Sequence, residues 1–415
     1  MTVQAEVAVD ELAEVRAEFR AEVRAFLEAH APRRQPSSMW AVNFHTDEDT
    51  QARAFEEGRR WQQRLSEHGL AGLTYPVEYG GRGGPSWQEA IYHQEAAGYA
   101  ASAGFISSTM SMLGPTLLRW GSEQQKRTLL PRMLSAEDTY CQLFSEPGAG
   151  SDLAGLATRA VRDGDELVVT GQKVWNSSAQ FCNRGMLLVR TDPDAPKHRG
   201  ITFLLVDMAT PGIECRPLVQ ANGAREFNEV FLGDVRVPLS AVLGEVGEGW
   251  KVARTVLSNE AAFIGGGIPG VRAPVRLRAL AELAGRTGDP TIRQGLATAH
   301  ARDQIVQWLG ARLAESFRNP AAPKVDPALL KLYATRSRVH NGQMAMAIGG
   351  AGVVASAPGD EVAHWAQVEL LTRYALSIGG GTDEVQRNNV AERALGLPRE
   401  PLTDHELPWK DVPRA

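Results

Sequence analysis

A short turn near residue 150 combines glycines with hydroxyl side chains. Gly148 and Gly150 stand between Ser145 and Ser151, in the run Ser-Glu-Pro-Gly-Ala-Gly-Ser. Glycines expose their backbone N–H groups, which can donate to an anion or to a ring heteroatom. The turn is therefore a candidate for gripping a cofactor, which the pattern alone does not establish.

A second candidate follows the next predicted strand. Trp175 is followed by Asn176 and Ser177, so an indole beside amide and hydroxyl groups could flank a flat heterocycle. A tryptophan buried in the core would give the same sequence. Both interpretations stay open on the residues alone.

Other chemistries find little support. The nine histidines include no His-Glu-x-x-His pair, and the three cysteines are widely spaced, so we expect neither a metal site nor a disulfide framework. Ser151 lacks the glycine two residues before it that the nucleophile elbow of hydrolases requires. The glycines around Arg82 follow no predicted strand and precede no Gly-Lys-Ser/Thr, so they predict a flexible loop.

The composition is typical of soluble globular proteins. Of 415 residues, 43% are hydrophobic and 22% are charged, and the net charge of −5 lacks the basic excess that nucleic-acid binding needs. No apolar run approaches the roughly 18 residues of a membrane span. The acidic N-terminus fits neither a secretory signal nor a transit peptide. We expect a cytoplasmic protein with no nucleic acid or membrane partner.

The period of the apolar residues changes twice along the chain. Over residues 1–138 they recur every three or four positions, which predicts an all-helical domain whose first helix is capped by Asp10. Over 139–247, short alternating runs bounded by turns predict an antiparallel β-domain. Helical patterning returns over 248–415, with a last helix that starts near Thr382. Helices and strands that occupy separate stretches of the chain in this way predict an α+β fold.

Five blocks of sequence resemble, in order and spacing, the acyl-CoA dehydrogenase family. They are FSEPGAGSDLAGLATRA, GQKVWNSSA, FNEVFLGDVRVP, GEGWKVA and GGTDEVQRNNVAERALGLP, and they span residues 144–398. The resemblance implies an N-terminal helical domain, a central β-domain and a C-terminal four-helix bundle. It also implies FAD, held between the last two domains and against a neighbouring subunit.

Most candidate site residues are assigned by this motif match. Those assigned to FAD are Phe144, Ser145, Gly150, Ser151, Trp175, Asn176, Ser177, Gly349, Gly350, Thr382 and Glu384. Ser151, Leu257 and Gly381 are assigned to the substrate. The family's usual pyrophosphate arginine is not recognisable; Arg286 is either its replacement as a cationic clamp or a solvated loop residue.

The resemblance also implies a reaction. The family removes the α-proton of an acyl-CoA thioester with a carboxylate while a hydride leaves the β-carbon for the flavin, giving a trans-2-enoyl-CoA. Many members carry the base in a Tyr-Glu-Gly-Thr turn, where this chain has three glycines before Thr382. Gly380 has no carboxylate, but its N–H could donate to the thioester oxygen. Another branch places the base on the helix after Gly-Trp, which points to Glu260, although Ala261 stands where that branch has arginine.

The resemblance leaves three functions open. The first is an FAD-dependent dehydrogenase of a bulky or branched acyl group, because Gly379 and Gly380 remove side-chain volume from the acyl pocket; an electron-transfer flavoprotein would be its acceptor. The second is an FAD-poor or catalytically silent subunit of an α2β2 heterotetramer. The third is a flavin oxidase of the same fold. The substrate would be an acyl-CoA or an acyl-carrier-protein thioester, and the assembly a homotetramer or that heterotetramer.

Overall fold

The computed structural model describes residues 3–35, 39–42, 47–264, 272–319, 321–399, 401 and 406–413. Helices come first, one β-sheet follows, and helices return, which confirms the predicted α+β class.

In the described part of the chain, five α-helices precede the sheet. They are α1 (Val3–His30), α2 (Glu48–Glu67), α3 (Ser86–Ala96), α4 (Phe105–Trp120) and α5 (Glu123–Leu134). The prediction that Asp10 caps α1 is wrong, because the helix begins at Val3. Residues 4–6 are Gln, Ala and Glu, all good helix formers, and a helix extends cooperatively through such residues.

Seven strands form one sheet. They are β1 (Tyr140–Leu143), β2 (Arg159–Asp163), β3 (Glu166–Val174), β4 (Arg184–Arg190), β5 (Ile201–Asp207), β6 (Ile213–Leu218) and β7 (Phe227–Pro238). Their order is β1-β4-β2-β3-β7-β6, and β5 also pairs with β4. Most long pairings are antiparallel as predicted, whereas β1 runs parallel to β4. A parallel pair needs a crossover connection, and the segment that contains β2 and β3 supplies it.

A tight turn joins β2 and β3, which agrees with the prediction of short β runs bounded by turns. Asp163 pairs with Glu166 across a two-residue loop, and Gly164 takes a left-handed φ of 61°, as tight hairpin turns require. Next to this hairpin, β4 and β5 have mostly buried residues, and they form the centre of the core of the β-domain.

Among the described residues, eight α-helices follow the sheet. They are α6 (Gly249–Ile264), α7 (Ala273–Leu283), α8 (Pro290–Arg318), α9 (Pro327–Gly349), α10 (Ala351–Val354), α11 (Glu361–Thr372), α12 (Ala375–Ile378) and α13 (Asp383–Asn389). α8 and α9 each begin with proline after an aspartate cap, the arrangement that satisfies free N–H groups of a first turn. Thr382 caps α13, as predicted.

Close approach to the sheet fixes the start of α6. A Cβ at Gly249 would lie 2.4 Å from the backbone nitrogen of Phe203 on β5, so only glycine allows this contact. The next turn of α6 buries Val252, Ala253 and Val256 completely or nearly so. Because these three lie at helical spacing on one face, α6 has one orientation relative to the sheet.

Candidate active site

The C-terminal half of α6 is fastened to helix α4. The indole Nε1 of Trp120 donates to Thr255 Oγ1 at 2.9 Å, and the amide of Asn259 donates to the carbonyl of Met112 at 3.1 Å. The residue after Asn259 is the predicted base, Glu260. These contacts hold the helix backbone beneath Glu260 between α4 and the sheet.

Glu260 occupies a poorly solvated position. Burial raises its pKa above the usual range, and the Gln142 side chain on β1 and the Lys331 ammonium on α9 offset part of this increase. A carboxyl whose pKa moves toward neutrality is a better proton acceptor than an ordinary glutamate. The side chain of Ala261 lies outside the described part of the chain, so its effect on Glu260 stays a prediction.

Lys331, whose charge acts on Glu260, also binds the three-glycine segment, which we call the glycine turn (residues 379–381). Its ammonium donates to the carbonyls of Gly379 and Gly381. Burial lowers the pKa of Lys331, and the carboxylates of Asp383 and Glu260 oppose that decrease. Sequence analysis missed Lys331 because 48 and 50 residues separate it from its two partners. The available signal was a charge inside the apolar run Leu-Leu-Lys-Leu-Tyr.

The glycine turn has a backbone that other residues would adopt only under strain. Gly380 and Gly381 have φ values of 66° and 87°, in the left-handed region that favours glycine. The Gln386 side chain donates to the Gly380 carbonyl at 3.1 Å. Within the described part of the chain, the Gly380 N–H has no acceptor, so it is available to a ligand.

Thr382 and Glu384 follow the glycine turn and line a separate cavity of about 650 Å³. Thr382 Oγ1 accepts from the backbone of Val385 at 3.3 Å, and Glu384 pairs with Arg387 at 2.9 Å. Both predicted FAD contacts therefore already have partners in the isolated chain. Other residues of the cavity wall are Arg302, Arg336, His340 and Asp383.

A buried ion pair supports the turn after β1. Lys173 is fully buried, and its ammonium lies 2.8 Å from Glu146 and 3.0 Å from the carbonyl of Phe144. The backbone nitrogen of Val174 donates to the carbonyl of Ser145 at 2.9 Å. The ring of Phe144 packs on a core phenylalanine and is 3% exposed. A ligand at this turn would therefore contact the backbone of Phe144 rather than its ring.

The glycines of the same turn are open. An added Cβ at Gly148 or Gly150 would meet no atom within 4 Å, and Ser151 is exposed beside them. Nothing in the described chain fills the space over these backbones. The turn is therefore accessible to a ligand that approaches the main chain closely.

Trp175 is exposed, so the alternative of a core tryptophan is wrong. Its side chain is 60% exposed and contacts Phe227 edge-on at 5.9 Å. Its φ of 64° is unusual for a bulky residue. Such strain costs on the order of 1–3 kcal/mol and clusters at functional sites.

Asn176 links Trp175 to the β1 strand. It is almost fully buried, and its amide donates to the carbonyl of Gln142 at 2.8 Å. Its Oδ1 has no partner among the described residues. Gln142 thus connects the Trp175 segment through its backbone and Glu260 through its side chain, a connection that sequence analysis missed.

Arg286, Gly349 and Gly350 form a second cluster at the C-terminal end of α9. Arg286 donates to the carbonyls of Ala347 and Ile348 and pairs with Asp289 at 2.8 Å. A Cβ at Gly350 would meet no atom within 4 Å, and its φ is 56°. Arg286 is therefore neither a plain solvated residue nor an unpaired cation.

This second cluster is distant from Glu260. Lys331 and Gly349 are both on α9, and 18 residues at 1.5 Å per residue separate them by about 27 Å. The predicted FAD contacts Gly349 and Gly350 therefore lie far along α9 from Lys331, whose charge acts on Glu260.

The structure also bears on metals and membranes. No group of His, Cys, Asp or Glu among the described residues is arranged to hold a metal ion. No described helix combines the length and the hydrophobicity that crossing a bilayer needs.

Comparison with known proteins defines the class of this chain. The family descriptions "Acyl-CoA dehydrogenase, N-terminal domain", "middle domain" and "C-terminal domain" match residues 13–137, 141–235 and 247–395. The chain belongs to the acyl-CoA dehydrogenase family, and it is an oxidoreductase that dehydrogenates acyl-CoA thioesters. A flavin cofactor is the one this family implies.

Similar proteins include named acyl-CoA dehydrogenases and a solved structure whose description contains the word steroid. The chain is 41% identical over 360 residues to acyl-CoA dehydrogenase IpdE1 of Mycobacterium tuberculosis. This alignment covers 84% of this chain and 90% of that protein. It resembles a solved structure described as "Tcur3481-Tcur3483 steroid ACAD", with a TM-score of 0.70, 30% identity, and coverage of 94% of this chain and 98% of that one. The ChsE4-ChsE5 complex from Mycobacterium tuberculosis gives a TM-score of 0.70 at 29% identity, with 93% and 98% covered.

Proposed function

We propose that this chain converts a bulky, ring-bearing acyl-CoA to its trans-2-enoyl-CoA with FAD, and that Glu260 is the general base. The observation that carries the proposal is the poorly solvated carboxyl of Glu260, which feels the charge of Lys331, the same lysine that binds the glycine turn. Abstraction of a weakly acidic α-proton needs a base whose pKa is above that of a solvated carboxylate. Glu260 meets this requirement.

The chain's residues divide the chemistry between them. The α-proton of the thioester goes to the Glu260 carboxylate. The negative charge that builds on the thioester oxygen is met by the free N–H of Gly380; losing such a donor costs on the order of 3 kcal/mol. FAD, when bound, supplies the acceptor for the hydride that leaves the β-carbon.

The residues of the β-domain fit a flavin. An exposed indole at Trp175, open backbone at Gly150 and the unpartnered Oδ1 of Asn176 offer a flat face, a close approach and an acceptor. Residues proposed to hold FAD on this side are Phe144, Ser145, Gly150, Ser151, Trp175, Asn176 and Ser177, with Thr382 and Glu384 further along. Ser151, Leu257 and Gly381 are proposed to contact the substrate.

The proposed substrate class rests on the glycine turn and on the relatives. The turn presents no side chain at residues 379–381, so it leaves room beside the thioester for a ring. The description of one similar solved structure contains the words "steroid ACAD". We therefore propose a CoA thioester of a ring-bearing carboxylic acid, with an electron-transfer flavoprotein as the final electron acceptor.

The proposed assembly is an α2β2 heterotetramer, with a homotetramer as the alternative. Two similar structures carry paired protein names. The cluster of Arg286, Gly349 and Gly350 is about 27 Å along α9 from Lys331, so we propose that it meets the dinucleotide of a neighbouring chain. The three free cysteines favour the reducing cytoplasm.

A second candidate function is that of an FAD-poor subunit. The observation that favours it is the pairing of Arg286 with Asp289 and with helix carbonyls, which leaves less of its guanidinium for a pyrophosphate. A chain that purifies colourless and gains flavin only with a partner would support this candidate. Rapid peroxide formation without any acceptor would instead support an oxidase.

The test is anaerobic reduction of the bound flavin. Purified protein, with its partner if flavin retention requires one, is mixed with the CoA thioester of a steroid carboxylic acid. We expect the yellow flavin to bleach in the wild type and in Glu282→Gln, a change at an exposed glutamate on α7. We expect Glu260→Gln to keep FAD and lose bleaching by at least about 10²-fold. Bleaching of Glu260→Gln at the wild-type rate refutes the assignment of the base.

A further inference from the structure

We propose that Lys331 is a positioning residue, which clamps the glycine turn beside Glu260 so that the Gly380 N–H stays directed at the substrate thioester. The inference rests on the proposed function, because it assigns to Lys331 the task of supporting the base and the donor of that reaction.

The geometry of the ammonium group supports the clamp. Nζ of Lys331 donates to the carbonyls of Gly379 and Gly381, the residues on both sides of Gly380. The Gly379 carbonyl shares a peptide plane with the Gly380 N–H, so fixing that carbonyl also fixes the direction of the N–H. The bond to the Gly381 carbonyl holds the far end of the turn. The orientation of the Gly380 N–H is therefore determined from α9, an element outside the turn.

The turn needs such a clamp because of its composition. Glycine has more backbone freedom than any other residue and loses the most entropy when it is fixed. No side chain of residues 379–381 is present to pack the turn in place. Among the described residues, the other side chain that donates to the turn is that of Gln386 on α13, to the Gly380 and Gly381 carbonyls at 3.1 and 3.5 Å.

The same ammonium also acts on the charge of the base. The charged groups that face Lys331 are Glu260 from α6 and Asp383 from α13; Asp383 is held by the hydroxyl of Thr335 at 3.0 Å. The groups that face Glu260 are Lys331 and the Gln142 amide. A cation near a carboxylate favours its ionised form, so loss of Lys331 makes Glu260 harder to deprotonate.

The experiment compares three lysine variants as complete, flavin-loaded enzyme. Lys331→Met removes the ammonium but keeps the apolar stem, and Lys331→Arg keeps a cation with several donors. Lys324→Met is the matched control, because Lys324 is an exposed lysine seven residues upstream. Each is assayed by stopped-flow flavin reduction from pH 5 to 9, with the CoA thioester of a steroid carboxylic acid in ordinary and α-deuterated form.

We expect Lys331→Met to slow reduction by about tenfold to a hundredfold at neutral pH, with little change in the concentration for half-saturation. The acidic limb of its pH–rate profile should move to higher pH, because Glu260 becomes harder to deprotonate. Its α-deuterium isotope effect should increase, because proton abstraction becomes more rate-limiting. Lys331→Arg should restore the position of the limb, and Lys324→Met should match the wild type.

Two outcomes overturn the inference. The first is an unchanged acidic limb and isotope effect in Lys331→Met; the second is a Lys331→Arg variant that folds and retains FAD but has the same limb as Lys331→Met. A purely structural role would lower the amount of folded enzyme without moving either quantity. Glu260→Gln, measured alongside, separates the two claims: its inactivity upholds the proposed base even where Lys331 fails.

Discussion

The buried pair of Lys173 and Glu146 gives a prediction that joins stability to flavin retention. The ammonium contacts Glu146 at 2.8 Å and the Phe144 carbonyl at 3.0 Å. The Glu146 carboxylate also accepts from the backbone of Ala157 at 2.6 Å and of Thr158 at 2.9 Å. The pair therefore connects the turn after β1 with the C-terminal end of β3 and with the residues just before β2.

The structure sets the size of the effect. Lys173→Met leaves a buried carboxylate with two backbone donors and no cation, and breaking such a pair costs about 3–5 kcal/mol. Burial lowers the pKa of Lys173 from 10.5 to about 8, which corresponds to about 3 kcal/mol against the ammonium. Since the cation is that costly, we expect Glu146→Gln/Lys173→Met to be within about 2 kcal/mol of the wild type.

The assay is guanidinium unfolding followed by tryptophan fluorescence, together with the FAD retained after gel filtration. We expect Lys173→Met to unfold earlier and to lose FAD, and the double variant to recover both. The unfolded state binds more protons than the folded state between pH 8 and 10.5, so this lysine's contribution to stability rises with pH over that window. The increase in the free energy of unfolding between pH 8 and 10.5 that comes from Lys173 should be missing in Lys173→Met.

Either of two results would contradict the dependence of the buried Glu146 carboxylate on Lys173. One is a Lys173→Met variant destabilised by less than about 1 kcal/mol, because the carboxylate would then not depend on the cation. The other is a double variant as unstable as Lys173→Met, because the damage would then come from lost packing around the lysine stem.

Two further predictions concern the base and its helix. Burial raises the pKa of Glu260, and the base must be unprotonated to act. The rate of flavin reduction should therefore fall as the pH decreases through a value above the ordinary pKa range of glutamate. A stopped-flow pH profile whose acidic limb lies in that ordinary range contradicts this prediction. Gly249→Ala places a Cβ 2.4 Å from the Phe203 nitrogen, so we expect a loss of about 1–3 kcal/mol in guanidinium unfolding and slower reduction. Gly310→Ala, where a Cβ meets nothing within 4 Å in α8, should instead stabilise by about 0.5–1 kcal/mol, and equal effects at the two sites would contradict the packing argument.

The change of apolar period along the chain predicted the order of helical, β and helical segments. Further local signals mark individual elements: Asp289 and Asp326, each followed by proline, stand at the starts of α8 and α9, because a cap and a missing N–H both suit a first helical turn. Gly164, with its left-handed φ, marks the hairpin turn between β2 and β3 in the same way. The parallel pairing of β1 with β4 was not predicted, because β2 and β3 separate the two strands along the chain and their relative direction is set by the tertiary fold.

The candidate site was predicted less completely, and the physical reason is distance along the chain. Glu260 was found through a family motif, because one residue and its neighbours suffice to recognise it. Lys331 and the glycine turn are 48 and 50 residues apart, and nothing in either segment indicates the other. The Lys173–Glu146 pair, 27 residues apart, was missed for the same reason. Pairings of this kind are set by the tertiary fold.

The placement of the proposed base on α6 explains why the turn tolerates three glycines. The α6 backbone is fixed by Gly249 against the sheet and by Asn259 against α4, so the position of the Glu260 carboxylate does not depend on the turn. The turn then has one task, to present the Gly380 N–H, and any side chain there would narrow the space for a ring. Because residues 379–381 have no side chains, the turn has no packing contacts of its own, and groups outside the turn must hold it in place. The lysine on α9 and the loss of side chains at the turn are therefore two parts of one arrangement, so restoring a side chain to the turn should make the enzyme less dependent on Lys331.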